Sequence, residues 1–374
     1  MTEGINISPK ILRWAIERAG HNYNDYIVEH DDVKKWIAGD KKPTFKQLEK
    51  ISSTLHVPIG YLFLNEPPEE HLPITLFRRA NNGININILD TVDTLKERQE
   101  WLSGYLKEID NKKIPFISQY SLANNTHEVS LRIRQLLKLP IDWALNTATT
   151  DKALNKLTTA IEQCGVIVVF NSIVGTNSHR PISVDDCRGF ALVDSYAPFI
   201  FVNSKDAKSA QIFTLIHEFA HLLVGYSAGV GNIDITKTNA TEQFCDSIAA
   251  DFLMPKTFFD ILWIAAPNDF DTLAKRSKLS RYVMLRCAKD YGHIDEQTYW
   301  QLYNKWQSEP VIAAKKGLGG DFYINVIRRT SRTFLLYVNS ALGNNAILHT
   351  EAYRLTGLKG DTYRKVFNSQ YIYG

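Results

Sequence analysis

The stretch Ile212-Phe-Thr-Leu-Ile-His-Glu-Phe-Ala-His-Leu-Leu-Val224 decides the fold of this chain, because it sets His217-Glu218-Phe219-Ala220-His221 inside an apolar run. Two histidines four residues apart on a helix project from the same face, one turn above the other. Both imidazoles can therefore bind one metal ion, and the glutamate beside the first can hold the attacking water. The pattern predicts a zinc-dependent hydrolase and, within that class, a peptidase.

A third metal ligand is needed, since a catalytic zinc takes about three protein ligands and a water. Glu242 and Asp246 lie four residues apart on the next predicted helix, on the face that also carries Ala249 and Leu253. An unpaired carboxylate is costly on a buried face. We therefore predict that Glu242 binds the metal and that Asp246 supports a ligating imidazole through a hydrogen bond.

Other interpretations of these residues stay open at this point. The histidine helix could be an ordinary amphipathic helix, and Glu242 could be the capping-box partner of Asn239 at a helix N-terminus. Cys245 points off the carboxylate face, which favours packing over metal binding. Imidazole and carboxylate ligands favour Zn²⁺ as the cofactor, with Mn²⁺ as the alternative.

Composition gives no sign of a membrane protein or of a global attraction to nucleic acid. The 374 residues include 43 Lys and Arg against 40 Asp and Glu, a net charge of +3. The four cysteines form no CxxC pair, which argues against a cysteine zinc site or a disulfide framework. No apolar run is long enough to span a bilayer, and the N-terminus lacks the apolar segment of a signal peptide. We predict a cytoplasmic protein with no membrane contact.

The order of the predicted elements indicates an α+β, mostly helical fold in three parts. Residues 1–72 form a helical module that the Pro67-Pro-Glu-Glu70 stretch closes. Residues 73–310 hold the catalytic region, with the metal core at about 150–265 and a small β-sheet. Residues 311–374 form a small, basic helical domain.

The middle part contains short β-branched or aromatic runs, which predict strands at Val166–Phe170, Phe190–Val193 and Phe199–Val202. The second of these could pair with an extended substrate if it lies at a sheet edge. The histidine helix is expected to start near Ser204 or Asp206 and to end at Gly225. A polar loop at 232–241 is expected before the helix of Glu242, and other helices are predicted at 88–109, 129–139, 152–164, 271–291 and 295–307.

The middle part resembles the ImmA/IrrE family of metallopeptidases over about residues 75–310. The resemblance rests on Phe199–Asn203, on Phe213–Leu223, on the Glu242 and Asp246 pair and on Ala249–Pro255, and Arg188–Leu192 matches the strand upstream. Members of this family typically cut one partner, a helix-turn-helix repressor of a mobile element or of a stress regulon.

The resemblance implies a zincin-like domain and a role for each residue of the motif. His217, His221 and Glu242 would bind the metal, Glu218 would be the catalytic base, and Asp246 would support a ligand from behind. The substrate would be one specific protein rather than proteins in general.

The N-terminal part resembles the Xre/Cro-type helix-turn-helix domain that is often fused to this peptidase. Leu12–Ala15, Trp36–Gly39, Pro43-Thr44 and Gln47–Ile51 fit that pattern, and Pro9 is expected to open the first helix. The segment between Gly20 and Trp36 is shorter than the pattern by about one helical turn.

Charge also weakens the prediction of a DNA-binding module. The predicted recognition region begins Glu29-His-Asp-Asp32, which repels phosphates, and residues 1–66 hold nine Lys and Arg against nine Asp and Glu. Lys34 and Lys35 are the candidate DNA or partner contacts. DNA binding stays open beside two alternatives, dimerisation and docking of a partner protein.

The tail from 311 to 374 carries nine Lys and Arg and three acidic residues. Such a basic, tyrosine-bearing segment could contact nucleic acid or an acidic protein through Arg328, Arg329 and Arg332, and a solvated basic face is the plainer alternative. Thr350–Leu355 resembles the tail of longer, fused family members, which are often encoded beside a toxin gene.

These observations predict an intracellular metal-dependent endopeptidase that cleaves or controls a specific repressor or toxin. The alternative is an antitoxin or transcriptional autoregulator that sequesters a toxin encoded next to it, without proteolysis. The expected partners are the protein substrate or cognate toxin, DNA through the helix-turn-helix-like module, and a second copy of the chain.

Overall fold

The computed structural model describes residues 4–68, 85–225, 235–309, 321–369 and 372. The fold is α+β and mostly helical, as predicted, with 61% helix, 17 α-helices in these residues and a small three-stranded sheet. The chain divides into two compact units, one of residues 1–72 and 76–93 and one of residues 73–75 and 94–374. The predicted division into three domains stays a prediction. No helix of the described residues is both long enough and apolar enough to cross a membrane.

The first unit is built from four short helices and a 3-10 turn around one apolar core. Pro9 opens the first helix, which confirms its predicted start, and Thr44 and Gln47 form a capping box at the start of the fourth. A single residue, His30, separates the second helix from the third. The elements are α1 (Pro9–Arg18), α2 (Tyr23–Glu29), α3 (Asp31–Ala38), α4 (Phe45–Leu55) and the 3-10 turn Ile59–Phe63.

A long helix, α5 (Ile86–Glu108), starts in the first unit and continues in the second. The remaining helices of the second unit are α6 (Thr126–Leu137), α7 (Thr150–Gln163), α8 (Lys208–Val224), α9 (Ile235–Leu253), α10 (Lys256–Ala265), α11 (Phe270–Ser277), α12 (Arg281–Asp290), α13 (Glu296–Gln307), α14 (Phe322–Thr330), α15 (Arg332–Gly343), α16 (His349–Thr356) and α17 (Gly360–Phe367).

Two helix predictions are wrong. The segment predicted as one helix at 271–291 is two helices. Lys278 adopts a left-handed φ of 63°, which ends the first, and Ser280 is the N-cap of the second, where its side chain accepts a hydrogen bond from the backbone amide of Val283. Helix α9 begins at Ile235, so the loop predicted up to Thr241 is helical from Ile235 onward. The low helix propensity of its Thr and Asn residues is overridden by the fold.

The central sheet has the strand order β1-β5-β4, from β1 (Ile167–Asn171), β4 (Gly189–Leu192) and β5 (Phe199–Asn203). β1 runs parallel to β5 with Ile167 opposite Phe199, and β4 runs antiparallel to β5 with Phe190 opposite Phe201. Every residue of β1 and β5 is buried, as expected for strands covered on both faces. A two-stranded hairpin, β2 (Ile173–Val174) and β3 (Asn177–Pro181), was not predicted.

The C-terminal helices pack on the sheet of the second unit. The ring of Phe334 contacts those of Phe199 and Trp101, and the guanidinium of Arg328 lies 4.9 Å from the centre of the Phe170 ring. The buried Arg98 donates a hydrogen bond of 2.8 Å to the carbonyl of Leu355. The basic tail is therefore anchored by intramolecular contacts.

Candidate metal centre

Helix α8 presents both histidines to one point. The helix is buried along most of its length and ends at Gly225, whose φ of 75° is the left-handed conformation predicted for this position. His217 and His221 are 9% and 3% exposed, and their Nε2 atoms lie 3.0 Å apart. Two nitrogen lone pairs at this distance need a shared proton or a shared cation between them.

Helix α9 completes the cluster with Glu242. Its Oε2 lies 3.4 Å from Nε2 of His217, and its Oε1 lies 3.3 Å from Nε2 of His221. Asn239 lies inside α9, which excludes it as an N-cap and with it the capping-box interpretation of Glu242. The three side chains could hold a metal ion.

The ligand spacing fits a tetrahedral zinc. Zn–N and Zn–O bonds are about 2.0–2.1 Å long, and neighbouring ligands of a regular tetrahedron are then about 3.3–3.4 Å apart. The three separations here are 3.0, 3.3 and 3.4 Å. The donor set, two imidazoles and one carboxylate, is also the one that a catalytic zinc takes in several peptidases.

Electrostatics make the cluster a cation site. Burial lowers the pKa of His217, but contacts with Asp246 and Glu242 outweigh this effect and raise it to about 10. Burial raises the pKa of Glu242, but hydrogen bonds with the two histidines bring it well below its usual range. The pocket therefore favours positive charge, which either protons or a metal ion can supply.

Glu218 lies in the same cluster as an almost completely buried carboxyl group. It is 3% exposed, and its Oε2 has no hydrogen-bond partner. Burial raises its pKa, and the positive charges of His217 and His221 act in the opposite direction. A carboxyl group with a raised pKa and an oxygen that has no hydrogen-bond partner is suited to accept and return a proton.

Asp246 lies behind His217, on the side away from Glu242. Its Oδ1 is 2.9 Å from Nδ1 of His217, and this contact raises the pKa of the imidazole. The side chain of Asp246 is 58% exposed. A carboxylate in this place holds the imidazole with Nε2 toward the cluster.

Gly189, at the start of β4, lets the sheet approach Glu218 closely. A Cβ atom on Gly189 would lie 2.8 Å from the carbonyl oxygen of Phe201 and 3.3 Å from Oε1 of Glu218, and it would overlap Cγ2 of Thr214. From the sequence, Gly189 was recognised only as part of the strand motif Arg188–Leu192. A glycine at the start of an otherwise apolar strand is the signal that could have identified this close approach.

Cys245, Lys35 and Arg332 are each buried in the core or engaged with another group of the chain. Cys245 is completely buried in the apolar core and is not part of the metal-binding group. Lys35 pairs with Asp31 at 2.5 Å, while Lys34 lies on the same short helix α3. Arg332 donates to the carbonyl of Ile372 at 2.9 Å.

Arg328 and Arg329 both lie in the last turn of α14. Arg328, stacked on Phe170, is partly buried, and burial lowers the pKa of its guanidinium. The three tail arginines proposed as partner contacts therefore include two, Arg328 and Arg332, that bind other parts of the same chain.

Comparison with known proteins identifies two family segments. Residues 162–288 match the IrrE N-terminal-like domain, Peptidase_M78. This segment contains the three residues of the cluster as well as Glu218 and Asp246. Residues 330–369 match a domain of unknown function, DUF8813. No curated protein matches the chain. The first match indicates a metal-dependent peptidase or regulator.

Proposed function

We propose that this chain is a cytoplasmic, zinc-dependent endopeptidase that cleaves one specific regulatory protein. The observation that carries the proposal is the triangle of His217 Nε2, His221 Nε2 and a Glu242 oxygen, with Glu218 buried beside it. The Peptidase_M78 match supports a metallopeptidase. The four cysteines form no disulfide, which fits a reducing compartment.

Zinc is the proposed metal, and manganese is the alternative. Zinc accepts nitrogen and oxygen ligands in a four-coordinate site, whereas manganese favours more oxygen ligands and a higher coordination number. When bound, the ion would lower the pKa of a coordinated water to about 7 and polarise the carbonyl of the scissile bond.

The protein's own residues then manage the proton. Glu218 accepts it from the nucleophilic water on its carboxylate and returns it to the nitrogen of the leaving amine. Burial keeps this carboxyl group apart from bulk water and raises its pKa, which favours uptake of the proton. Asp246 holds His217 in the orientation that directs Nε2 to the cluster.

Strand β4 is the proposed place for the substrate backbone. Among the described residues, no strand pairs with its outer edge. The backbone amide of Asn203 donates a hydrogen bond of 2.8 Å to the backbone carbonyl of Arg188. Along an antiparallel pair of strands, every second residue bonds to the partner strand, and the residues between point away from it. The backbone groups of Gly189 and Ala191 therefore point away from β5, to the outer edge. Gly189 is partly exposed, so an extended peptide can pair with its backbone there, whereas Ala191 is buried.

The partner is proposed to be a protein rather than DNA. On α3, Lys35 pairs with Asp31, and Lys41 just beyond the helix pairs with Asp32 at 3.1 Å. Phosphate binding depends on uncompensated positive charge, and these pairs reduce it. This observation favours docking of a repressor or toxin on the first unit and keeps a second function in view, sequestration of a toxin without proteolysis.

Metal analysis combined with co-expression tests the proposal. Purified wild type should hold about one zinc per chain, and His217→Ala should hold far less. The chain is then co-expressed with the protein of the neighbouring gene, beside Glu218→Gln. Cleavage by wild type alone supports the peptidase. An uncut neighbour that Glu218→Gln still neutralises in a stable complex supports sequestration instead.

A further inference from the structure

The outer edge of β4 begins at the partly exposed Gly189, next to the cationic side chain of Arg188. We propose that Arg188 is a specificity-determining residue, which selects an extended peptide carrying Asp or Glu beside the segment that pairs with Gly189. This inference rests on the proposed function, because it places the substrate along β4. It goes further by naming the chemical class of the peptide.

Arg188 lies close enough to the proposed site of cleavage to contact a substrate residue near the scissile bond. Gly189 comes within 3.3 Å of Oε1 of Glu218 when a Cβ atom is built on it. Consecutive Cα atoms are 3.80 Å apart, so the Cα of Arg188 lies within about 9 Å of that oxygen. An extended peptide advances about 3.3 Å per residue, so Arg188 faces a substrate side chain two or three residues from the scissile bond.

The guanidinium of Arg188 can donate hydrogen bonds to a second carboxylate. Its side chain is 50% exposed, and its one ion-pair partner in the described part of the chain, Asp206, lies 3.6 Å from it. That distance is outside hydrogen-bond range, and Oδ2 of Asp206 has no hydrogen-bond partner. A guanidinium offers five N–H donors in a planar fork, so it can keep Asp206 on one side and bind a second carboxylate on the other.

The charges nearby set the size of the effect. Asp206 is 11% exposed and competes for Arg188, and Asp185 and Asp186 precede it in the chain, while Lys205 adds a positive charge in the turn before α8. A charge-assisted hydrogen bond that is shared and partly solvated corresponds to roughly a tenfold preference. We expect about this enrichment of Asp and Glu over neutral residues at one position of the peptide.

Peptide selection on a catalytically silent chain tests the inference without requiring cleavage. The full-length Glu218→Gln protein, loaded with zinc, is used to select binders from a displayed library of random decapeptides. Asp or Glu should be enriched at one fixed position. The enrichment should disappear with the further change Arg188→Gln and should turn toward Lys and Arg with Arg188→Glu. Arg286→Gln is the matched control, since Arg286 is an exposed arginine on α12 that pairs with Asp290 at 2.6 Å.

Each outcome decides the inference. Thermal unfolding checks each variant, and Arg188→Gln is decisive if Arg188→Glu fails to fold, since it adds no repulsion toward Asp206. Equal acidic enrichment with Arg188→Gln, the absence of any positional preference, or a library without binders overturns the inference. The selected peptides are then offered to zinc-loaded wild type. Selective binding without cleavage would contradict the peptidase function and leave recognition by Arg188 in place.

Discussion

Ser331 donates a hydrogen bond of 3.0 Å to Oε1 of Glu162, which ties the segment that joins α14 and α15 to the last turn of α7. Ser331 is 1% exposed and has a left-handed φ of 75°, an uncommon conformation for a residue other than glycine. It is also the N-cap of α15, where its side chain accepts a hydrogen bond from the amide of Phe334. The two matched family segments therefore meet at one partly buried carboxyl group.

Glu162 should make the stability of the second unit depend on pH. Burial raises its pKa to about 7 from 4.5, while hydrogen bonds from Ser331 and Thr333 and the charge of Arg332 act against that rise. The folded state therefore binds the proton of Glu162 more tightly than the unfolded state does. The stabilisation that this group contributes is complete below about pH 4.5 and is lost as the pH rises through 7.

The variant Glu162→Gln removes this titration. Relative to it, wild type should lose about 1–3 kcal/mol of unfolding free energy between pH 4.5 and 8, since one pKa unit corresponds to about 1.4 kcal/mol. Urea unfolding of both proteins at several pH values measures the difference. Curves that stay parallel over this range would show that Glu162 keeps an ordinary pKa.

Gly189→Ala should damage both the fold and the position of the Glu218 carboxylate. The added methyl group would overlap Thr214 and approach the Phe201 carbonyl to 2.8 Å, so the strand or helix α8 must shift. Overpacking of this kind costs about 1–3 kcal/mol. Gly104→Ala is the control, because nothing lies within 4 Å of its added Cβ and the change in a helix is neutral or stabilising. Thermal unfolding and peptide cleavage are the two measurements, and equal behaviour of both variants contradicts the close contact.

Asp246→Asn should weaken metal binding without unfolding the protein. Loss of a group that orients a ligating histidine typically costs about 10–100-fold in metal affinity. The side chain is 58% exposed, so its replacement leaves the core intact. Competition with a zinc chelator measures the affinity, and Ser247→Ala, an exposed neighbour on α9, serves as the control. An unchanged affinity would mean that Asp246 does not support His217.

Removal of the metal should lower the melting temperature of wild type. An ion that binds only the folded state stabilises it by mass action, by about 4 kcal/mol at a thousandfold excess over Kd. Glu242→Gln loses one charged ligand and should show a smaller change on addition of EDTA. Differential scanning fluorimetry with and without EDTA compares the two, and a melting temperature that EDTA leaves unchanged in wild type argues against a structural contribution of the ion.

Arg328→Ala should lower stability rather than binding to nucleic acid. A guanidinium stacked on an aromatic ring contributes about 0.5–2 kcal/mol, and Arg328 lies 4.9 Å from the centre of the Phe170 ring. Arg364→Ala removes an exposed arginine of α17 that pairs with Asp361 and should cost little. Denaturant unfolding and a gel shift on double-stranded DNA, both at low salt, separate the two roles. A lost gel shift at unchanged stability would restore the nucleic-acid interpretation.

The convergence of His217, His221 and Glu242 could be predicted from the sequence because helical spacing is a local property, while their role as metal ligands stays a prediction. His217 and His221 had to share a face once the apolar run formed a helix, and Glu242 followed from the need of its buried face for a partner. The left-handed end at Gly225 was predictable for the same reason, since the signal lies in one residue.

Features set by contacts between distant segments could not be predicted. The helical state of the chain from Ile235 onward is not specified by local propensity, since Thr and Asn are weak helix formers. The approach of Gly189 to Glu218 joins residues that are far apart in sequence, and nothing in the motif around either residue specifies it. The engagement of Arg328 by Phe170 likewise needed the fold, because composition alone cannot tell a solvated basic face from an anchored one.

The short length of β4 sets a demand on whatever protein is cut there. A strand of four residues spans about 13 Å, so under the proposed function a target must offer extended backbone of up to this length beside β4, starting at Gly189. A scissile bond inside a stable helix of the target would have to wait for local melting. The rate of cleavage of such a target would then depend on how often its helix unfolds locally. A ligand that stabilises or destabilises that helix would control the lifetime of the target without binding to this protein.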